Sequence, residues 1–398
     1  MRRLTLLSGA AAVCGALFIL AGCSDDTPEG GGGSGATAQG GSADGGSPNG
    51  GSPGTGGNPG QGGGGAPNVG GAGGSGSGGA PPTPCPDVLS CNAAYPDVGA
   101  ARDWVHFGSS VTAATGFANH RGRDMFYNPG DTIWVMGKFA YGVFDDDIQD
   151  EDVDVYLNED CGPNWQLLDT VRTTTDGLHA TVEGVEDTGG WVYYQLPSSI
   201  QLSEGRHRFL LVVAGDLSTT EVYVDIVKPG TPLIVSDVDG TLTTTENEEF
   251  TALLTGSLPD ANPSAPEVLT ALAEHGYRIF YLTARPHFLG GRTREFLDAH
   301  NFPLGLVHTT LTFTGATGSS AVTYKSDELA AIAQRGLVPA WAFGNTASDA
   351  EAYDNAGITP LNQRIMFQFT DDVFGARRIE SYADLLPEAL GLPDAVCP

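Results

Sequence analysis

Basic residues are scarce in this chain. Of its 398 residues, 19 are Lys or Arg and 48 are Asp or Glu, which gives a formal net charge of −29 at pH 7. Proteins that hold nucleic acid or anionic membranes by charge do so with clustered cations. The composition therefore argues against nucleic acid, and against an anionic membrane surface, as electrostatic partners.

The chain also lacks an apolar run long enough to cross a membrane. Its most apolar stretch, residues 4–20, is shorter than the ~20 residues that a spanning helix needs, and it contains Ser8. Two arginines precede the stretch, and Leu20-Ala21-Gly22-Cys23 ends it, as in a secretory leader. The last four residues resemble the lipobox of bacterial lipoproteins. The resemblance implies that residues 1–23 are a signal peptide, that Cys23 is lipidated, and that the protein is exported and anchored in the cell envelope. Inner membrane, outer membrane and cell surface stay open.

Large apolar side chains are almost absent from residues 24–84, which are mostly Gly, Ser, Pro, Ala, Asn and Thr. Such a segment cannot bury enough apolar surface to offset its ordering entropy. We expect a disordered tether. For ~60 residues of a flexible chain, the end-to-end distance is 5–6 Å times the square root of the residue number, or about 45 Å.

Cysteines are few. Apart from those of the leader, four remain: Cys85, Cys91, Cys161 and Cys397. In an oxidising compartment four cysteines allow two disulfides. Cys85 and Cys91 are close enough in sequence to pair, but the sequence does not fix the pairing. No C-x₂-C spacing is present, which disfavours a zinc site.

Residues 85–230 read as a β domain. A turn signal at residues 128–131 precedes the strand-like run 132–136, and the runs 153–157, 191–196, 208–213 and 221–227 follow. Several short strands at this spacing are typical of a β-sandwich, and we expect an immunoglobulin-like one without amphipathic helices. The acidic run 145–154 could hold Ca²⁺, or it could be a solvated loop.

Residues 231–398 change to alternating strands and helices. We expect strands at 233–235, 277–282, 304–307, 340–343 and 364–369, and helices at 264–275, 291–300, 325–334, 347–355 and 382–390. Such alternation indicates a Rossmann-like α/β fold with a mostly parallel sheet, and ligands of these sheets bind beyond the carboxyl ends of the strands.

Two motifs follow the first two of these strands. The first strand ends in Asp237-Val238-Asp239-Gly240-Thr241, and the second in Thr283-Ala284-Arg285. Two acids two residues apart at a strand end lie on one side of the pleat. The first string resembles the first motif of the haloacid dehalogenase superfamily. In that superfamily a Ser or Thr at the place of Thr283 contacts the transferred phosphoryl group.

Two further motifs follow in the order of the superfamily. Lys325 matches its third motif, a cation that faces the phosphoryl oxygens; Arg335 is the weaker candidate. Asp349, after Gly344-Asn345, fits the fourth motif, an acid that binds Mg²⁺, and Asp354 is the alternative.

The resemblance implies phosphoryl transfer that depends on Mg²⁺. Asp237 would be the nucleophile, and Asp239 the general acid and base. Mg²⁺ would be held by Asp237, Asp349 and the backbone carbonyl of Asp239. The residues expected to bind the substrate are Thr283, Ala284, Arg285, Arg294, Lys325 and Asn345. For Arg285 and Arg294, ion pairing is an equal alternative.

Finer details are similar to the lipin-like (LNS2) phosphatidate phosphatases. The matching strings are Tyr281-Leu282-Thr283-Ala284-Arg285-Pro286, Thr293-Arg294-Glu295-Phe296-Leu297, Tyr324-Lys325, Phe343-Gly344-Asn345 with Asp349 and Tyr353, and Arg364-Ile365. The resemblance spans about residues 230–388. It implies a haloacid dehalogenase domain without a large cap, preceded by an immunoglobulin-like domain, which converts phosphatidate to diacylglycerol.

Two other functions stay open at this stage. One is a phosphatase for small soluble phosphate esters. The other is a non-catalytic phospholipid-binding module, as is thought for related domains fused to phosphatidylinositol-transfer proteins. Those domains lack the nucleophile, whereas Asp237 and Asp239 are both present here.

Overall fold

The computed structural model describes residues 83–85, 90–244, 258–371 and 374–398. The predicted signal peptide, the predicted lipidation site Cys23 and nearly all of the predicted tether lie outside these residues. Within the described part of the chain, no helix is both long enough and apolar enough to cross a membrane.

The first part of the described chain is a β-sandwich. Its elements are β1 Thr83–Pro84, α1 Phe107–Thr115, β2 Arg121–Arg123, β3 Met125–Tyr127, β4 Trp134–Lys138, β5 Ala140–Tyr141, β6 Asp146–Asp147, β7 Asp152–Asn158, β8 Gln166–Arg172, β9 Trp191–Gln195, β10 Gly205–Val213 and β11 Thr219–Ile226. One sheet has the order β3-β11-β10-β7-β8, and the other has the order β2-β4-β9. The strand pairs of both sheets are antiparallel except β3 with β11.

Strand β10 is apolar along its whole second half because other residues pack on both faces of its sheet. Phe209, Leu211 and Val213 point into the core shared by the two sheets. Leu210 and Val212, which alternate with them, pack in a separate cluster on the other face. The sandwich predicted from the strand pattern is therefore confirmed. Helix α1 was not predicted, and its only buried residue is Ser109, so it carries no apolar face that the sequence could have shown.

Both disulfides differ from the pairing that sequence distance suggested. Cys85 is bonded to Cys397, and Cys91 is bonded to Cys161. Cys85 cannot reach Cys91 because β1 pairs with β18 Val396–Cys397 at the end of the chain. The number of bridges, two, is the number that four cysteines allow.

The acidic run 145–154 is occupied by ion pairs. Five of its carboxylates pair with basic side chains: Asp145 with Arg121, Asp147 with Lys138, Asp150 and Asp152 with Arg172, and Asp154 with Arg102. Among the described residues, no three acidic, His or Cys side chains are grouped to hold a metal ion. Most carboxylates of the run are therefore engaged in ion pairs.

The second part of the described chain is an α/β domain. Its elements are β12 Leu233–Ser236, α2 Ala265–Glu274, β13 Arg278–Leu282, α3 Gly290–Ala299, β14 Leu306–His308, α4 Ser319–Gln334, β15 Pro339–Gly344, α5 Ala347–Asn355, β16 Arg364–Phe367, β17 Arg377–Ile379 and α6 Leu386–Leu390. The six strands are parallel, in the order β14-β13-β12-β15-β16-β17. Strand β17 was not predicted, and α4 begins six residues earlier than predicted.

Buried charges join the sandwich to the α/β domain. The Asp124 carboxylate, which is fully buried, accepts hydrogen bonds from Arg294 Nη2 at 2.5 Å and from the backbone N–H of Val307 at 2.9 Å. Glu328 of α4 accepts from Arg123 of the sandwich at 2.6 Å and contacts His308 Nδ1 at 2.6 Å. Buried charged pairs need short hydrogen bonds of this kind to offset the loss of hydration. The helix that carries Lys325 is thereby fixed to the sandwich.

A third pair extends this joint. Arg206 donates to both oxygens of Asp225 at 2.7 and 2.8 Å, and both side chains are fully buried. Arg206 also donates to the carbonyl of Leu304, which precedes β14, at 2.8 Å.

We expect Asp225→Asn to lower the free energy of unfolding by about 3–5 kcal/mol, because the charge of Arg206 is left buried without its counter-charge. Urea unfolding followed by circular dichroism, with both disulfides intact, measures the loss. Glu388→Gln is the matched control, since the pair of Glu388 with Arg377 is half-exposed and should contribute about 1 kcal/mol or less. Equal losses in the two variants would contradict the role given to Arg206.

Candidate active site

Three adjacent strands end level with one another. Ser236, the last residue of β12, is in register with Tyr281 of β13 and Phe343 of β15. Asp237, Thr283 and the segment after Gly344 therefore emerge side by side at the carboxyl edge of the sheet. This is the edge at which parallel sheets bind ligands.

A buried lysine joins two of the predicted site residues. Lys325 Nζ donates to Asp237 Oδ1 at 2.6 Å and also pairs with Asp349 Oδ1. All three side chains are buried. The hydroxyl of Thr241 lies 3.2 Å from Asp237 Oδ2 and 2.9 Å from Asn345 Oδ1. Lys325 lies in the middle of α4 and not at its start, as the sequence had suggested.

Burial controls the ionisation of this group. Burial raises the pKa of Asp237 to about 7, against the attraction of Lys325, and repulsion from Asp349 and Asp239 adds to the rise. Burial alone would lower the pKa of Lys325, but the carboxylates of Asp237 and Asp349 raise it above its ordinary value. Lys325 is therefore charged, and it is the cation that holds the two acids together.

Asp349 is fixed by the start of α5. Its Oδ2 accepts from the backbone N–H groups of Asn345 and Thr346, each at 3.1 Å, and from the Thr346 hydroxyl at 2.8 Å. Thr346 in turn accepts from the N–H of Asp349, which completes a capping box. A Cβ on Gly344 would lie 2.4 Å from Asp349 Cβ, so this approach needs glycine.

Asp239 has its own cation. Arg285 Nε lies 2.8 and 2.9 Å from the two Asp239 oxygens, and Arg285 Nη2 lies 2.7 Å from Oδ1. Thr283 Oγ1 donates to Asp239 Oδ2 at 3.1 Å. Arg285 is itself buried, and its Nη1 donates to the Thr293 hydroxyl at 2.9 Å. Of the two roles open for Arg285, the structure shows the ion pair.

The structure brings most of the predicted site residues together, but not all of them. Arg294 pairs with Asp124 and lies over the Tyr223 ring at 5.4 Å. Its contacts are with the sandwich because α3 turns this face toward β11. The structure thus shows the ion pair for Arg294, and its contact with substrate stays a prediction. Ala284 lies beside the site, and its carbonyl accepts from the N–H of Ala316 at 2.9 Å.

The weaker candidates for the third and fourth motifs lie elsewhere. Arg335 pairs with Glu183 of the sandwich, and Asp354 pairs with Arg364.

Three supporting residues had no assigned role in the sequence. Thr241 bridges Asp237 and Asn345, and Thr346 caps the helix of Asp349. Tyr353 donates to the carbonyl of Phe343 at 2.7 Å. Thr346 could have been found, because a Thr three residues before an acid at a helix start indicates a capping box. The other two depend on the tertiary structure.

The donors around Asp237 fit Mg²⁺. The expected set is one oxygen each from Asp237 and Asp349 and the backbone carbonyl of Asp239, and Mg²⁺ prefers such hard oxygens. Asp237 and Asp349 share the single charge of Lys325, so a surplus of negative charge is left for a cation.

Comparisons with known families match both domains. Residues 234–366 match the family model described as PITM 1-3, LNS2 domain. Residues 118–226 match the model described as PITM 1-3, beta-sandwich domain.

Curated relatives match across both domains. Protein retinal degeneration B of Drosophila melanogaster is 26% identical over 269 residues, which are 67% of this chain and 20% of that protein. Membrane-associated phosphatidylinositol transfer protein 2 of Homo sapiens is 30% identical over 192 residues, 48% of this chain and 13% of that protein. The chain thus spans about a fifth or less of the length of these relatives.

Solved structures also match. Two of them are a putative beta-phosphoglucomutase from Thermotoga maritima and a phosphoserine phosphatase from T. onnurineus, with 14% and 13% identity. They cover 39% and 41% of this chain, and 97% and 96% of their own chains, each with a TM-score of 0.27. The observed β-sandwich and the α/β domain that follows it are therefore each similar to a domain of the PITM 1-3 proteins, the beta-sandwich domain and the LNS2 domain.

Proposed function

We propose that residues 231–398 form a Mg²⁺-dependent phosphatase that hydrolyses a phosphate monoester, foremost phosphatidate to diacylglycerol. The observation that carries the proposal is the buried Asp237 carboxylate, held between Lys325 and Thr241 at the end of β12. A carboxylate fixed in this way beside a charged lysine is suited to attack a phosphoryl group whose negative charge the lysine offsets.

The reaction has two halves. In the first, an Asp237 oxygen forms a bond to phosphorus while the bond to the ester oxygen breaks, and Asp239 gives its proton to the leaving oxygen. In the second, Asp239 takes a proton from water, the water oxygen attacks phosphorus, and the bond to Asp237 breaks with release of phosphate. Lys325 and Thr283 hold the phosphoryl oxygens in both halves. Bound Mg²⁺ supplies further neutralisation of phosphoryl charge.

Arg285 has two effects on this scheme. Its guanidinium fixes the Asp239 carboxylate in the position from which it would take a proton from water in the second half. The first half needs a protonated Asp239, so the carboxyl group has to turn from Arg285 toward the leaving oxygen.

The phospholipid substrate and the membrane location are supported by the relatives. The human relative is named as a membrane-associated phosphatidylinositol transfer protein. We place this chain at a bacterial envelope membrane, exported by its signal peptide and anchored through lipidated Cys23.

One observation favours a second candidate, a phospholipid-binding module without turnover. The guanidinium of Arg285 donates hydrogen bonds to both carboxylate oxygens of Asp239. If this ion pair never opens, Asp239 is unable to transfer protons, and a phosphate ester would be bound without being cleaved.

The full chain is expected to release phosphate from phosphatidate in mixed micelles with Mg²⁺ and not with EDTA. Asp237→Asn should abolish release, because the amide removes the nucleophile while keeping the volume of the side chain. Malachite-green detection of phosphate measures both. Release from small esters alone would reassign the substrate to soluble compounds. Phosphatidate binding without release from any ester would establish the second candidate.

Arg285 and Arg294 should differ in kinetics. Arg285→Ala should lower kcat by about 10²-fold, because Asp239 is no longer held in place. Arg294→Ala should leave kcat and KM unchanged at temperatures where the variant is folded. Steady-state kinetics on phosphatidate micelles separates the two. A raised KM with unchanged kcat in Arg294→Ala would restore it as a substrate ligand.

A further inference from the structure

The sandwich carries an exposed apolar tip. Phe117, Val143 and Phe144 are 60%, 68% and 81% exposed. Their two loops are held side by side. The N–H of Gly142 donates to the Phe117 carbonyl at 2.8 Å, and Ala118 forms an isolated antiparallel β-bridge with Tyr141. Three large apolar side chains grouped in water indicate a contact surface.

The α/β domain carries a second apolar pair, beside the candidate active site. The rings of Phe288 and Phe313 lie 5.0 Å apart, and Phe313 is 55% exposed. Their loops also hold Arg285, whose carbonyl accepts from the N–H and from the hydroxyl of Thr310 at 3.1 and 2.9 Å. The pair therefore lies on the loops that border the site.

The tip and the pair lie on neighbouring loops. Asp145, next to Phe144, pairs with Arg121. The Cβ of Arg121 lies 3.9 Å from the place of a Cβ on Gly290, two residues after Phe288. We define the apolar rim as Phe117, Val143, Phe144, Phe288 and Phe313.

The charges around the rim indicate what covers it. Arg121 and Lys138 pair with Asp145 and Asp147, while Asp146 between them is exposed and adds a negative charge beside the tip. The chain as a whole carries a net charge of −29, which opposes approach to an anionic surface. A partner surface that is apolar and carries no net negative charge fits these charges best. Phe side chains of this kind bury themselves at the boundary between headgroups and acyl chains.

We propose that the apolar rim docks onto a bilayer of zwitterionic phospholipid and brings the site to lipid phosphates. The inference rests on the proposed function, and it names the surface through which the enzyme would reach its substrate. The predicted anchor at Cys23 and a tether that reaches about 45 Å would keep the folded domains near such a bilayer.

The first test compares two forms of one substrate, with the full chain. One is phosphatidate diluted in phosphatidylcholine vesicles, and the other is a short-chain phosphatidate dissolved as monomers. The double variant Val143→Ser/Phe144→Ser should lose at least tenfold of its rate on vesicles and keep its rate on monomers. Equal rates on vesicles, or equal losses on both substrates, would overturn the proposal.

Leu390→Ser is the matched control. Leu390 is 61% exposed and lies in α6, whose continuation contacts His275 at the amino edge of the sheet. It should behave like the unchanged protein on both substrates. If the unchanged protein hydrolyses neither substrate, the proposed function fails, and the following measurement still decides the docking surface.

The second test needs no activity. Phe144→Trp and Leu390→Trp, each in the full chain with Cys23→Ala, are mixed with vesicles of brominated phosphatidylcholine. The added tryptophan should be quenched at position 144 and not at 390, after subtraction of the parent signal. Equal quenching would overturn the proposal. So would a dimer, seen without lipid by sedimentation velocity, that dissociates in Val143→Ser/Phe144→Ser, because the rim would then belong to a second copy.

Discussion

The candidate site depends on one buried cation. Lys325 is the charge that allows Asp237 and Asp349 to lie together out of water, and each of the three would be costly to bury without the others. This constraint reaches outward. Asp349 is held in position by the capping box with Thr346, and its close packing against residue 344 requires a glycine there. The position of Lys325 needs α4 to be held in place, and the pairing of Glu328 with Arg123 ties that helix to the sandwich.

The two domains together therefore hold the candidate site residues in place. Glu328 lies one turn beyond Lys325 on the same helix, so its contacts with Arg123 and His308 fix the rotation of α4 about its axis. The sandwich contributes no predicted catalytic residue. It contributes the buried counter-charges Arg123 and Asp124, which set where the catalytic loops lie. The match to Protein retinal degeneration B extends over 269 residues, more than either domain holds by itself.

Local patterns predicted much of this arrangement. Strand ends in an alternating α/β chain must meet at one edge, so Asp237, Thr283 and the segment before Asp349 could be placed together from the sequence. Partners that come from another domain could not. Arg294 is held by Asp124, 170 positions earlier in the chain, and no spacing rule reports such a contact. The disulfide partners were also unpredictable, because the ladder between β1 and β18 joins the two ends of the described chain. Helix α1 was missed because it buries almost none of its surface.

If the chain is anchored through Cys23 as proposed, the bond between Cys85 and Cys397 has a mechanical consequence. Tension arriving along the chain before Thr83 meets the bridge and the β1–β18 ladder first. The load then passes into the carboxyl-terminal strand and, through the contact of Ala395 with His275, into the amino edge of the large sheet. The loops at the carboxyl edge lie off this line of force. Force applied through such an anchor would then leave the distances between Lys325 and its two carboxylates unchanged.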